Sequence, residues 1–296
     1  MSIAPLPDSR SAPDPELQEM LRLADRLAQE ASRIILPHFR SCGAKLKPDG
    51  SEVTIADLQA EAAMRAILER ECPSHRVLGE EFGGEASPDG YTWVIDPIDG
   101  TTYFALGMPL FGTLVGLLYA GEPVAGVVRL PAQGETLLAA KGAGCLRRVD
   151  GEPPHPVSTS TDKPLSAAFC SAAGLHSTDL ATGDPRDLAL GDLVRKAGKF
   201  RFLGDCQQHV LVCRGAVDLA IDTIMQPWDI AAIVPCIREA GGVATSLTGT
   251  AEGVVFSGSL VSACGPTLHG EALLTLAAAA GRGTLIPAGA KAPPDG

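Results

Sequence analysis

The chain has 296 residues, 45% of them apolar, and a formal charge of −11 at neutral pH. Such a length buries a sizeable core, in one large domain or in two halves. The acidic balance argues against nucleic acid or an anionic membrane as a partner, so an anionic substrate needs a local cationic site, which metal ions would supply.

Residues 1–13 and 286–296 are rich in Pro, Ala and Gly and read as loose tails. The N-terminal MSIAPLPDSR has no apolar stretch of the signal-peptide kind. No segment offers the roughly 18 uninterrupted apolar residues of a membrane span, and a cytoplasmic location is expected. None of the eight cysteines forms a CxxC pair, and Cys170, Cys206, Cys213, Cys236 and Cys264 sit in apolar surroundings. They read as reduced, buried thiols.

In chain order, Asp14 caps a first helix with Pro15 at its first position, and Leu17, Leu21, Ala24, Ala28, Ala31 and Ile35 keep helical spacing. Thr54 and Asp57 form a capping box for a second helix running to about Glu71, with Ile55, Leu58, Ala62 and Ile67 as its apolar face. Strand-like runs follow at Arg76–Gly79, Thr92–Ile95, Leu110–Tyr119, Pro123–Leu130 and Glu135–Ala140. They predict an antiparallel sheet backed by two helices over an N-terminal α+β half, 14–150. After the Pro-rich stretch Glu152–Pro156, the pattern changes to strands at Ala167–Ser171, Phe200–Phe202 and Val217–Asp222. These alternate with helices from Asp187, from Cys206, over Asp229–Ala240 and over Thr267–Ala280, predicting an α/β half at 151–285.

The chemistry concentrates in WVIDPIDGTTYF, Trp93–Phe104. An apolar strand delivers Asp96 and Asp99 to its solvent end, and Gly100 frees the backbone to turn and present N–H groups to an anion. Pro97 stiffens the turn and leaves the Ile98 carbonyl as a further oxygen ligand. Glu80 in LGEEFGG and Asp229 in QPWDIAA likewise stand where an apolar run meets a turn or helix start. Separately, Asp99 and Asp229 read as helix caps and Glu80–Glu81 as a solvated turn. Brought together, such acids repel unless cations lie among them, and hard oxygen ligands suit Mg²⁺. The three-residue spacing of Asp96 and Asp99 differs from the DxDGT of haloacid dehalogenase phosphatases, which disfavours a covalent aspartyl-phosphate.

These residues resemble the inositol monophosphatase superfamily of Mg²⁺-dependent phosphomonoesterases. The motifs are KPDGSEVTIAD at Lys47–Asp57, GEE at Gly79–Glu81, DPIDGT at Asp96–Thr101, and WDIAA at Trp228–Ala232 followed by EAGG at Glu239–Gly242. The resemblance implies a layered αβαβα sandwich, a homodimer, a small phosphorylated metabolite as substrate and two or three Mg²⁺ per site. Glu80, Asp96, the Ile98 carbonyl and Thr101 would hold the first ion; Asp96, Asp99 and Asp229 the second. Asp57 would lie near the attacking water, oriented by Glu80 with Thr101. Phosphate oxygens would meet the N–H groups of Gly100, Thr101 and Thr102.

For the leaving group, PLFGTLVGLL at Pro109–Leu118, GEPVAGVV at Gly121–Val128 and the GDC-containing run at Gly204–Asp222 look most similar to the histidinol-phosphate phosphatase branch. Asp205 would pair with the ammonium or imidazole of histidinol phosphate, and Asp222, like Asp229, would line the leaving-group side. Structurally, Asp205 reads instead as a helix cap and Asp222 as a strand end. An inositol-1-monophosphatase or broader sugar-phosphate phosphatase is the alternative, a nucleotide 3′-phosphatase a further one, and a catalytically silent phosphate-ligand sensor a reading of another class. His176 and His209 lie in no motif and are read as structural.

Overall fold

The computed structural model describes residues 14–48, 52–175 and 190–278. The tails, His176 and the expected helix start at Asp187 lie outside them.

Five layers alternate. The first contains α1 (Pro15–Ile35) and α2 (Ile55–Glu71), both capped as expected: Glu16 N–H donates to Asp14, and the Thr54–Asp57 capping box is complete. Between them in the chain runs a two-stranded ribbon, β1 (Lys45–Leu46) and β2 (Glu52–Val53), and the helices cover one face of an eight-stranded sheet built from β3 (Arg76–Gly79), β4 (Gly83–Gly84), β5 (Tyr91–Asp99), β6 (Gly112–Tyr119), β7 (Glu122–Leu130), β8 (Glu135–Ala140), β9 (Gly144–Val149) and β10 (His155–Val157). Their order is β10-β9-β8-β7-β6-β5-β3-β4. The sheet is antiparallel as expected except between β3 and β5, which run parallel. That pairing sets Gly79 beside Ile95, so the chain leaves β3 for Glu80 next to the end of β5.

The middle layer holds α5 (Asp205–Cys213), α6 (Pro227–Ile230) and α7 (Ile233–Glu239), between this sheet and a five-stranded one. The second sheet has the order β12-β11-β13-β15-β14, from β11 (Phe169–Ala172), β12 (Lys199–Phe202), β13 (Leu219–Asp222), β14 (Val243–Thr245) and β15 (Leu260–Ala263). On its outer side lie α4 (Leu190–Lys196) and α8 (Pro266–Ala278). This is the αβαβα sandwich.

Strands buried on both faces carry near-continuous apolar runs. In β5, Trp93 and Ile95 pack toward α1 and α2, while Val94 joins the core between the sheets. All eight cysteines are free, and all except Cys42 are buried. Among the described residues no helix is long and apolar enough to cross a membrane.

Two expectations are corrected. The buried face of α2 consists of Ala56, Asp57, Ala60, Glu61, Met64 and Leu68, whereas Ile55 is 48% exposed and Ala62 is exposed. Asp57 and Glu61 occupy core positions because each finds hydrogen-bond donors there. The single helix expected over Asp229–Ala240 is two, α6 and α7, joined at Ala231–Ala232. Pro235 has no N–H to donate to the Ala231 carbonyl, and its ring crowds that carbonyl.

Candidate active site

The site lies at the ends of β3 and β5 and the starts of four helices. The β5–β6 register shifts between Asp96 and Asp99, so the strand bulges at Pro97–Ile98. Two side chains fix the bulge. Thr113 Oγ1 donates to the Pro97 carbonyl at 2.8 Å, and the Ile98 N–H donates to Asp96 Oδ1 at 2.9 Å. The Ile98 carbonyl accepts from Thr101 Oγ1 at 2.9 Å, which leaves it a second lone pair. Gly100 then turns with φ 86°, a conformation suited to glycine, and α3 (Thr101–Ala105) begins. The first N–H groups of such a helix have no intrahelical acceptor.

Asp96, Asp99 and Asp229 each offer a carboxylate oxygen within 4.8 Å of the others. Asp229 comes from a segment more than a hundred residues away, and paired glycines bring it there. Gly116 and Gly126 are register partners in β6 and β7. A Cβ on Gly116 would lie 2.7 Å from the Ala231 carbonyl carbon, and one on Gly126 would lie 2.1 Å from the Ala232 oxygen. The WDIAA backbone therefore rests directly on the sheet.

Asp57 divides its carboxylate. Oδ2 accepts from Thr54 N–H at 2.8 Å and from the Thr54 hydroxyl, while Oδ1 lies 3.4 Å from Thr101 Oγ1. The capping role and a place beside Thr101 are thus both occupied. Glu80 is anchored through its N–H to the Ile95 carbonyl at 3.3 Å, and its Oε1 accepts from Lys47 Nζ at 2.9 Å. Asp205 opens α5, with φ 30° and its Oδ2 over Gly100; the next N–H, that of Cys206, donates to Asp99 Oδ2 at 2.8 Å. Asp222 is buried at the end of β13 and adds to the negative field on Asp229.

Burial, followed by the repulsion of neighbouring acids, pushes Asp96 and Asp229 well above the ordinary carboxylate range. The same causes take Asp99 up to about 7, and burial takes Asp57 up to about 6. Burial also raises Glu80 and Asp205. So many carboxylates cannot all ionise together without positive charge among them. The donors are carboxylate, carbonyl and hydroxyl oxygens, a hard set that fits Mg²⁺.

Sequence reasoning missed three contributors. Lys47 bridges Glu80 and Glu81, at 2.9 and 2.8 Å. The fully buried Glu61 accepts from the N–H groups of Glu81 and Phe82, tethering the turn that carries Glu80. Gly79 makes room for it, since a Cβ there would meet Glu61 Oε1 at 2.2 Å. The third is the Gly116–Gly126 pair. Lys47 and Gly79 lie inside the KPDGSEVTIAD and GEE motifs, which was the usable signal; Glu61 lies in no motif. His209, buried and bonded through Nδ1 to Ser262 Oγ at 2.9 Å, is structural, and Arg201 is exposed.

A bulged strand end, a short helix and a cluster of oxygen donors form a candidate metal site on a layered sandwich. Residues 16–281 match the Inositol monophosphatase family, and the chain belongs to that family, whose enzymes are metal-dependent phosphatases. It is 39% identical over 263 residues to the histidinol-phosphatase of Mycobacterium tuberculosis, covering 88% of this chain and 97% of the relative. It is 34% identical over 272 residues to the inositol-1-monophosphatase ImpA of Mycolicibacterium smegmatis, covering 91% and 96%. The structure of an inositol monophosphatase from Zymomonas mobilis superposes with a TM-score of 0.75 at 32% identity, covering 88% and 99%. The chain is a phosphatase of this family acting on a small phosphorylated substrate.

Proposed function

We propose that this phosphatase is Mg²⁺-dependent and hydrolyses L-histidinol phosphate to L-histidinol, a step of histidine biosynthesis. The observation that carries the metal chemistry is the convergence of Asp96, Asp99 and Asp229 within 4.8 Å. Support for the leaving group comes from the histidinol-phosphatases of M. tuberculosis and of Chlorobaculum parvum, the latter 36% identical over 245 residues. Asp205, whose N-terminal helix turn donates to Asp99, adds the carboxylate that a cationic leaving group needs.

In this reading Glu80, Asp96, the Ile98 carbonyl and Thr101 would hold one cation, and Asp96, Asp99 and Asp229 would hold a second. Cations held there would supply the positive charge that polarises a phosphoryl group and favours ionisation of a water. Glu80 and Thr101 orient the attacking water, and the Thr101 hydroxyl passes a proton toward Asp57 Oδ1. The N–H groups of Gly100, Thr101 and Thr102 hold the phosphate oxygens. The water oxygen bonds to phosphorus as the ester P–O bond breaks, and the leaving oxygen takes up a proton from solvent and departs as the alcohol past Asp205, Asp222 and Asp229. The metal donors come from both the 14–150 half and the 151–285 half. The same reading carries a homodimer in the cytoplasm, where the free thiols stay reduced.

Inositol 1-phosphate is the second substrate to test, on the strength of ImpA. Phosphate release from a panel of phosphomonoesters at millimolar Mg²⁺ decides between them. The expected result is the highest kcat/KM for L-histidinol phosphate. A higher value for inositol 1-phosphate would move the assignment to that substrate, and no hydrolysis of any ester would favour a silent sensor.

A further inference from the structure

Tyr103 lies on α3, two residues after Thr101, and takes no part in the site as described above. One edge of its ring lies against Gly204. A Cβ on Gly204 would stand 2.6 Å from Tyr103 Cε2 and 3.0 Å from Cζ. Only glycine lets the ring lie there. The residue that follows is Asp205, and its Oδ2 fills the space above a second glycine, 2.9 Å from where a Cβ on Gly100 would be.

The two glycines therefore act as matched recesses, one receiving an aromatic edge and the other a carboxylate, side by side. Asp205 adopts φ 30°, a backbone conformation that costs free energy in a residue with a side chain and that tends to be kept where a group must be aimed. Tyr103 is partly exposed, and its hydroxyl makes no hydrogen bond to the described residues.

We propose that Tyr103 is a specificity-determining residue whose ring walls the leaving-group pocket and, with Asp205, forms a slot for a planar cationic group such as an imidazolium. The physical basis is that a ring face attracts a flat cation, while the adjacent carboxylate accepts its N–H. A polyol gains hydrogen bonds from the carboxylate but little from the ring face. The inference rests on histidinol phosphate being a substrate, and it assigns the discrimination against polyol esters to a residue outside the metal cage.

The test is steady-state kinetics of wild type, Tyr103→Leu, Tyr103→Phe and Gly204→Ala on L-histidinol phosphate and on glycerol 2-phosphate, with circular dichroism of each variant. Tyr103→Leu should raise KM for the histidinol ester about five- to tenfold while changing its kcat less, and should shift KM for glycerol 2-phosphate less than about twofold. Tyr103→Phe should recover most of the lost affinity. Gly204→Ala, which displaces the ring without altering it, should reproduce the Leu pattern. Equal effects on the two esters, or a loss confined to kcat, would overturn the inference alone. A wild-type enzyme that hydrolyses glycerol 2-phosphate and ignores histidinol phosphate would overturn the substrate assignment and this inference with it.

Discussion

The buried carboxylate of Glu61 accepts the backbone N–H of Glu81 at 2.7 Å and that of Phe82 at 3.1 Å, and it pairs with Arg65 Nε at 2.8 Å. A residue in the middle of α2 thus fixes the turn from which Glu80 projects. Glu61→Ala leaves two backbone donors and the Arg65 Nε–H without their acceptor, the guanidinium keeping the Gly83 carbonyl. The expected cost is about 2–4 kcal/mol, read from the urea midpoint at unchanged slope. Glu61→Gln keeps one acceptor oxygen and should lose less. Both variants should need severalfold more Mg²⁺ for half-maximal hydrolysis, because Glu80 is no longer anchored from below.

Asp96→Asn separates function from stability. The amide oxygen can still accept from the Ile98 N–H, so the bulge should survive. The substitution removes a carboxyl that burial among repelling acids forces to take up a proton when the chelated chain folds at neutral pH. The chelated protein should therefore become more stable by about 1–2 kcal/mol, while hydrolysis falls at least about a hundredfold. Thermal unfolding in chelator and a phosphate-release assay check the two halves of this prediction. A destabilised, chelated Asp96→Asn would argue against electrostatic crowding at the site.

Gly126→Ala tests how Asp229 reaches the cage. The added methyl would stand 2.1 Å from the Ala232 oxygen, a contact with backbone that no side-chain rotation relieves. A loss of about 3 kcal/mol is expected, together with reduced activity of the protein that remains folded, since α6 must lift off the sheet. Thermal melting and activity per folded molecule measure both. Gly121→Ala, in a turn where a methyl meets nothing within 4 Å but φ is 82°, should cost about 1 kcal/mol and leave Mg²⁺ dependence as it was.

His209 should make folding sensitive to acid. Its ring is buried, its Nε2 has no hydrogen-bond partner among the described residues, and burial holds its pKa down to about 3. The unfolded chain binds that proton near pH 6.5, and the folded chain does so only near 3. Stability from the neutral ring is complete above about pH 6.5 and falls as pH drops toward 3, by up to about 1.4 kcal/mol per pH unit. His209→Gln should remove this component. The difference in denaturation midpoint between wild type and variant, followed from pH 7 to 4, isolates it from the other titrating groups.

Much of the site was legible because it is local in sequence. The Thr54–Asp57 capping box and the DPIDGT bulge are set by short-range hydrogen bonds and by the restrictions of Pro97 and Gly100, so a strip of sequence carries their signal. The family resemblance added the order of the motifs. What escaped detection depends on distant partners. Glu61 carries no local signal, because its donors, Glu81 and Phe82, come from another element. Apolar spacing then placed Ile55 and Ala62 inward, and the structure places them outward. Gly116 and Gly126 read as ordinary strand residues until WDIAA lies on them. The break at Ala231–Ala232 was foreshadowed by Pro235, whose missing N–H outweighs the apolar periodicity around it.

Calorimetric titration of Mg²⁺ into chelated wild-type protein, in the presence of inorganic phosphate, tests the cation cage most directly. Two or more ions should bind to the wild type, and at least one of them should be absent from Asp96→Asn. No binding at millimolar Mg²⁺, or an isotherm that Asp96→Asn leaves unchanged, would contradict a cage built around Asp96, Asp99 and Asp229.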